Sequence, residues 1–112
     1  MSEQQIQQQI RLALGRGDAR LWRNNTGALR DENGRLVSYG LCKGSADLIG
    51  FRSIEVGSQR IAQFVALEVK TATGRPTEEQ RHFLALVERM GGIAAIVRSV
   101  EEAEKALRGP PG

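Results

Sequence analysis

The chain has 112 residues, 40% hydrophobic and 26% charged, with a formal net charge of +3. That length supports one domain able to bury a core without disulfide or metal staples, and no apolar run approaches the ~20 residues of a membrane helix. With one cysteine, Cys42, and one histidine, His82, the chain has no intrachain disulfide framework and no cysteine-ligated zinc site, and almost no room for a histidine-rich metal centre or a Ser-His-Asp triad.

The first ten residues lack the basic and apolar regions of a signal peptide, so a cytoplasmic location is expected, with no membrane partner. Residues 3–14 read as a helix, because Ile6, Ile10 and Leu14 recur every four positions. Ser2 is a candidate N-cap, and Gly15 and Gly17 end the element. Residues 18–44 are rich in Gly, Asn, Asp and Arg. Within them Ala19–Arg23 and Leu36–Tyr39 are candidate short strands, with Glu32-Asn33-Gly34 as a turn. Two stronger strands follow, Ala46–Phe51 and Ile61–Lys70. The polar stretch 52–60 between them reads as the long loop of an antiparallel hairpin. Thr71–Pro76 form a loop. A helix then runs from Thr77 to about Met90, with Phe83, Leu84, Val87 and also Leu86 as candidates for its inward face. Gly91-Gly92 stop it. Ile93–Val97 fits a buried strand, and Ser99 caps a last helix over 100–108 with Val100, Ala103 and Leu107 on one side. Residues 109–112, Gly-Pro-Pro-Gly, read as a tail. The fold class implied is α/β, a mixed sheet flanked by helices.

Of the 16 basic residues 13 are arginine, whose guanidinium forks match phosphate oxygens. Seven basic residues lie between Arg11 and Lys43 against three acids, which suits either a solvated face or nucleic acid. Asp47 heads one apolar strand, and Glu68 and Lys70 close the next on a shared face. If those strands pair, Asp47 meets Glu68. Two adjacent carboxylates repel, and a divalent cation relieves that. Mg²⁺ takes oxygen ligands, and Asp47, Glu68 and the Val69 carbonyl offer three. The plain alternative is an ion pair of Lys70 with either acid at a strand end.

The ordered set Gly44-Ser45-Ala46-Asp47-Leu48-Ile49-Gly50, then Leu67-Glu68-Val69-Lys70-Thr71, then Gly74-Arg75-Pro76-Thr77 with Gln80, then Gly91 to Val97, resembles the PD-(D/E)XK nucleases. More narrowly, it resembles the small stand-alone members of the VRR-NUC family found in phages and bacteria, over about residues 3–107. The resemblance implies a restriction-endonuclease-like core and a Mg²⁺- or Mn²⁺-dependent DNA nuclease. It makes Asp47 and Glu68 metal ligands and Lys70 the catalytic lysine. Ala46 departs from the motif's proline, which supplies no ligand.

The resemblance also places Glu3, which shares a helical face with Ile10 to within about 20°, beside the metal. Otherwise Glu3 simply favours the helix dipole. It places Gln80 in the active site, whereas the string Thr77-Glu78-Glu79-Gln80 reads equally as a capping box. Arg23, Asn24 and Asn25 resemble a phosphate-contacting segment of phage-type members, or else form a turn. Arg30 belongs to the basic stretch, and Lys43 and Ser45, which flank Asp47, are candidates to touch the scissile strand or else belong to a solvated loop. His82 falls about 200° from Gln80 and is expected on the surface. Cys42 is expected as a small packed residue. The implied partners are branched DNA and a second copy of the chain, with Leu36–Tyr39 and Ile54–Ile61 as candidate interfaces. The rival readings are a binding module of the same fold that does not cleave, and a small α/β interaction protein.

Overall fold

The computed structural model describes residues 1–108, so the tail at 109–112 lies outside the described residues. The order is α1 (Glu3–Leu14), β1 (Ala19–Arg23), β2 (Gly27–Arg30), β3 (Leu36–Tyr39), β4 (Leu48–Val56), β5 (Gln59–Val69), α2 (Glu78–Arg89), β6 (Ile93–Val97) and α3 (Val100–Leu107). Four strands form a mixed sheet in the order β1-β4-β5-β6, and β2 pairs with β3 in a separate ribbon. β1/β4 and β4/β5 are antiparallel; β5/β6 is parallel, joined by a crossover that contains α2. The fold is therefore α/β, a mixed sheet flanked by helices. No helix among the described residues is long and apolar enough to cross a membrane.

Alternation along the strands sorts the core into two layers. Val65, Leu67 and Val69 of β5 join Ile6 and Ile10 of α1 and Ala103 and Leu107 of α3. Ala66 faces the other way, into a smaller cluster with Ala46 and with Leu84 and Val87 of α2. Val65 through Val69 are all buried, as a central strand covered on both faces requires. One charged residue, Glu68, sits inside that run.

Each helix starts where the sequence predicts. The Ser2 hydroxyl accepts from the Gln5 amide at 3.1 Å while the Gln5 side chain accepts from the Ser2 amide at 2.8 Å. Such caps stabilise by about 1 kcal/mol. Ser99 accepts from the Glu102 amide at the head of α3.

Three expectations are corrected. Residues 52–60 are not a long loop: β4 and β5 pair from Leu48↔Leu67 to Val56↔Gln59, and only Gly57 and Ser58 turn the chain. Gly57 at φ 62° supplies the positive φ that a two-residue hairpin needs first. The alternation Ser53, Ile54, Glu55, Val56 is a strand pattern that high polarity hid. Second, Gly27–Arg30, for which the sequence predicts no element, is a strand that pairs with Leu36–Tyr39 across residues 31–35. Third, Leu86 is exposed, and α2 buries Leu84 and Val87 instead.

Close approach fixes Gly50. A Cβ there would run into the Arg20 carbonyl of β1, so β1 lies against β4 only because position 50 has no side chain.

Candidate active site

The β4–β5 register runs toward Leu48↔Leu67, and one step further puts Asp47 beside Glu68. Asp47 is held from two sides. Its Oδ2 accepts from the Val69 amide at 2.9 Å, and its carbonyl accepts from the Asn24 amide at 2.8 Å. Glu68 is 1% exposed. Its Oε1 accepts from Gln80 Nε2 at 3.0 Å and lies 3.7 Å from Lys70 Nζ. Its Oε2 is buried with no hydrogen-bond partner among the described residues. Burial, and after it the Asp47 carboxyl alongside, pushes Glu68 up to about 8, against the opposing pull of Lys70.

Gln80 unites the two readings of its segment. Its Oε1 accepts from the Thr77 amide at 2.8 Å, and its own amide donates to Thr77 Oγ1 at 3.1 Å, which completes a capping box. The Nε2 left over by that cap is the donor to Glu68. Helix start and site carboxylate thus share one side chain.

An orphaned, buried carboxylate oxygen next to a second carboxylate fits a cation. A hard divalent ion would satisfy Oε2, take the place of the proton that burial keeps on Glu68 and offset the charge of both carboxylates, and the donors on hand are oxygens. Asp47 and Glu68 are the acidic ligands available, and the Val69 carbonyl belongs to the residue whose amide Asp47 already holds. Among the described residues no group of three or more acidic, cysteine or histidine side chains forms a metal cluster. Glu3 is therefore not brought into one. It is half-buried on α1, the helix whose Ile6 and Ile10 join Leu67 and Val69, while Glu68 alternates to the α2 side of the sheet.

The residues expected to touch DNA divide into two groups. Arg23, Asn25, Arg30 and Lys43 are exposed. Arg23 donates to Asn25 Oδ1 at 3.4 Å, Arg30 to the Gly34 carbonyl at 2.8 Å, and Lys43 pairs with Glu79 at 3.5 Å. Asn24 and Ser45 are buried and already engaged, which corrects their assignment to phosphate contact. Asn24 Nδ2 donates to Ser45 Oγ at 2.7 Å and to the Ala46 carbonyl at 2.9 Å, and its Oδ1 accepts from the Leu41 amide at 3.0 Å. Ser45 Oγ donates in turn to the Cys42 carbonyl at 2.6 Å. Both residues fix the approach of the chain to Asp47. Cys42 is exposed rather than packed, since Ser45 claims its backbone and turns the loop outward. His82 is exposed, as its helical angle predicts.

Arg75, Arg81 and Arg98 escaped the sequence reading. They line one hollow beside the site, yet come from a loop, a helix and the end of a strand. No spacing links them; only the motif Gly74-Arg75-Pro76-Thr77 pointed at one of the three.

Comparison with known families gives a match to the VRR-NUC domain over residues 1–101. No curated protein and no solved structure matches the chain.

Proposed function

The chain belongs to the VRR-NUC family, nucleases with a restriction-endonuclease-like fold, and on that premise we propose that it is a divalent-metal-dependent DNA endonuclease. It hydrolyses phosphodiester bonds by attack of water and selects branched DNA rather than a base sequence. The observation that carries this reading is the meeting of Asp47, Lys70 and Gln80 at the buried Glu68 carboxylate, whose other oxygen, Oε2, has no hydrogen-bond partner among the described residues.

Asp47 and Glu68, with the Val69 carbonyl, would hold Mg²⁺ or Mn²⁺. When bound, the ion supplies charge neutralisation at a phosphate oxygen and greater acidity of water. Gln80 orients the Glu68 carboxylate. Lys70 stands at the mouth of the site with its side chain 12% exposed. It positions the attacking water and offsets charge developing on the phosphate. Lys70→Ala should therefore bind Mn²⁺ as the wild type does and yet cleave about 10²–10⁴-fold more slowly, the range for losing one such group. Parallel loss of metal affinity and rate would instead make Lys70 part of the metal site.

A panel of four-way junction, flap, single strand and linear duplex, each incubated with Mg²⁺, Mn²⁺ or EDTA, tests the function. Binding without cleavage under every condition would leave a non-catalytic module of this fold. Equal rates on all substrates would dispose of branch selectivity.

We further propose a homodimer. Support comes from the β2–β3 ribbon, where Leu29, Val37 and Tyr39 share one exposed face. A lone two-stranded ribbon is marginally stable in water and gains from a covered face. A twofold partner would cover it and set two sites in fixed relation, as paired cuts at a junction require. Light scattering at micromolar concentration should give twice the chain mass, and Val37→Asp should reduce it to the single-chain value. A wild-type monomer with full activity contradicts the dimer.

A further inference from the structure

Three guanidinium groups meet in space where the sequence keeps them apart. Arg75 stands in the loop after β5, Arg81 near the start of α2, and Arg98 directly after β6. With the loop at 72–76 they line a hollow of about 580 Å³. The pocket is braced rather than loose. Arg98 Nη2 donates to the Gly74 carbonyl at 2.9 Å, and Arg81 Nη2 to the Pro76 carbonyl at 3.4 Å. Among the described residues no carboxylate lines it, and the three ion pairs involve Lys43, Arg60 and Lys70, none of these arginines.

Three positive charges facing one space repel unless an anion sits between them. Planar guanidinium forks match the oxygens of a phosphate group. The hollow also adjoins the cleavage site, because Gly74 lies against the stem of Lys70: a Cβ at position 74 would stand 3.5 Å from both Cβ and Cδ of that lysine. We infer that Arg75, Arg81 and Arg98 form a phosphate pocket that grips the DNA backbone at an internal phosphodiester next to the one being cut. The inference rests on the nuclease reading of the Asp47–Glu68 site and adds to it the contact that sets the strand's register.

The test separates binding from chemistry. In EDTA, the affinity of the full chain for a fluorescently labelled four-way junction is measured against salt concentration. Arg75→Ala and Arg81→Ala, both at exposed positions, should each weaken binding about 5–10-fold and lessen the slope of log K against log salt by about 1. Lys105→Ala on α3 removes an equal charge elsewhere and should change affinity less than twofold. Mn²⁺ affinity should be unchanged in all three. With metal present, the arginine variants should raise KM and leave kcat within a few-fold. A neutral methylphosphonate moved along the strand should cost the wild type at one phosphate where Arg81→Ala no longer responds.

The pocket is overturned if Arg75→Ala and Arg81→Ala keep wild-type affinity and slope, or if Lys105→Ala loses as much as they do. Loss of affinity in the arginine variants of a protein that never cleaves would uphold the pocket and remove the nuclease reading. Normal cleavage with unaltered arginine variants would do the reverse.

Discussion

Glu68→Gln should abolish cleavage and, in the same protein, raise the melting temperature measured without metal. The amide keeps the shape and still accepts from Gln80 Nε2 through its oxygen. It removes the charge a metal needs, so the rate should fall by several orders of magnitude. It also removes a carboxylate that is 1% exposed and has one oxygen unpaired. An unsatisfied buried polar group costs about 1–3 kcal/mol, and 1 kcal/mol is worth roughly 4–8 °C in a domain near this size. The gain should depend on pH. An ordinary glutamate ionises near 4.5, whereas Glu68 in the fold keeps its proton up to about 8. Below 4.5 both folded and unfolded chains are protonated and the group adds no pH dependence to stability. Between the two values the unfolded chain releases its proton and the folded chain holds it. Stability of the metal-free wild type therefore falls as pH rises across that window and levels off above it. Melting curves in EDTA from pH 5 to 9 should show this slope in the wild type and lose it in Glu68→Gln. Saturating Mn²⁺ should restore stability to the wild type only. A lower melting temperature in the variant, or a flat wild-type profile, would contradict the account.

Asn24→Ala should be among the most destabilising substitutions away from the apolar core. Three hydrogen bonds vanish together: the Ala46 carbonyl loses a donor in a buried place, the Leu41 amide loses its acceptor in a half-buried one, and the Ser45 hydroxyl is left with Cys42 alone. A loss of about 2–4 kcal/mol follows from the usual cost per group, or roughly 8–32 °C in melting temperature. Because Ala46 and Asp47 are hung from Asn24 by side chain and backbone alike, Mn²⁺ affinity should fall at least tenfold. Thermal melts and a Mn²⁺ titration check both parts. Had Asn24 served as a phosphate contact, its loss would leave the melting temperature intact and weaken DNA binding alone.

The helices and the central strands were legible in the sequence because their signals are local. Ser2, Thr77 and Ser99 mark helix starts, apolar spacing marks the buried faces, and the run at Ile93–Val97 is too apolar for anything but a covered strand. Asp47 and Glu68 were legible for a different reason: they are acids set against apolar strands, where charge has no ordinary place. Polarity misled at 52–60, since a hairpin that projects from the body carries polar residues and still pairs. It misled again at Asn24 and Ser45. An asparagine beside glycine looks like a turn or a phosphate contact, and only the fold reveals that 21 residues downstream a serine waits to receive it. The arginine hollow was hidden by distance along the chain.

The two-residue turn at Gly57-Ser58 has a consequence for folding. It makes β4–β5 the sheet pairing with the shortest loop to close, so this hairpin can form before the parallel β5–β6 pairing, which must enclose all of α2. Zipping starts at Val56↔Gln59 and proceeds through nine pairs to Leu48↔Leu67. Asp47 and Glu68 lie one step beyond the last of them. The two carboxylates therefore meet only when the ladder is complete, and their repulsion falls on the final step rather than on nucleation. A slip of one residue would turn Glu68 from the α2 side of the sheet into the layer filled by Leu67 and Val69. The site thus acts as a proofreader of register: the apolar layer rejects every alignment that would misplace its acid.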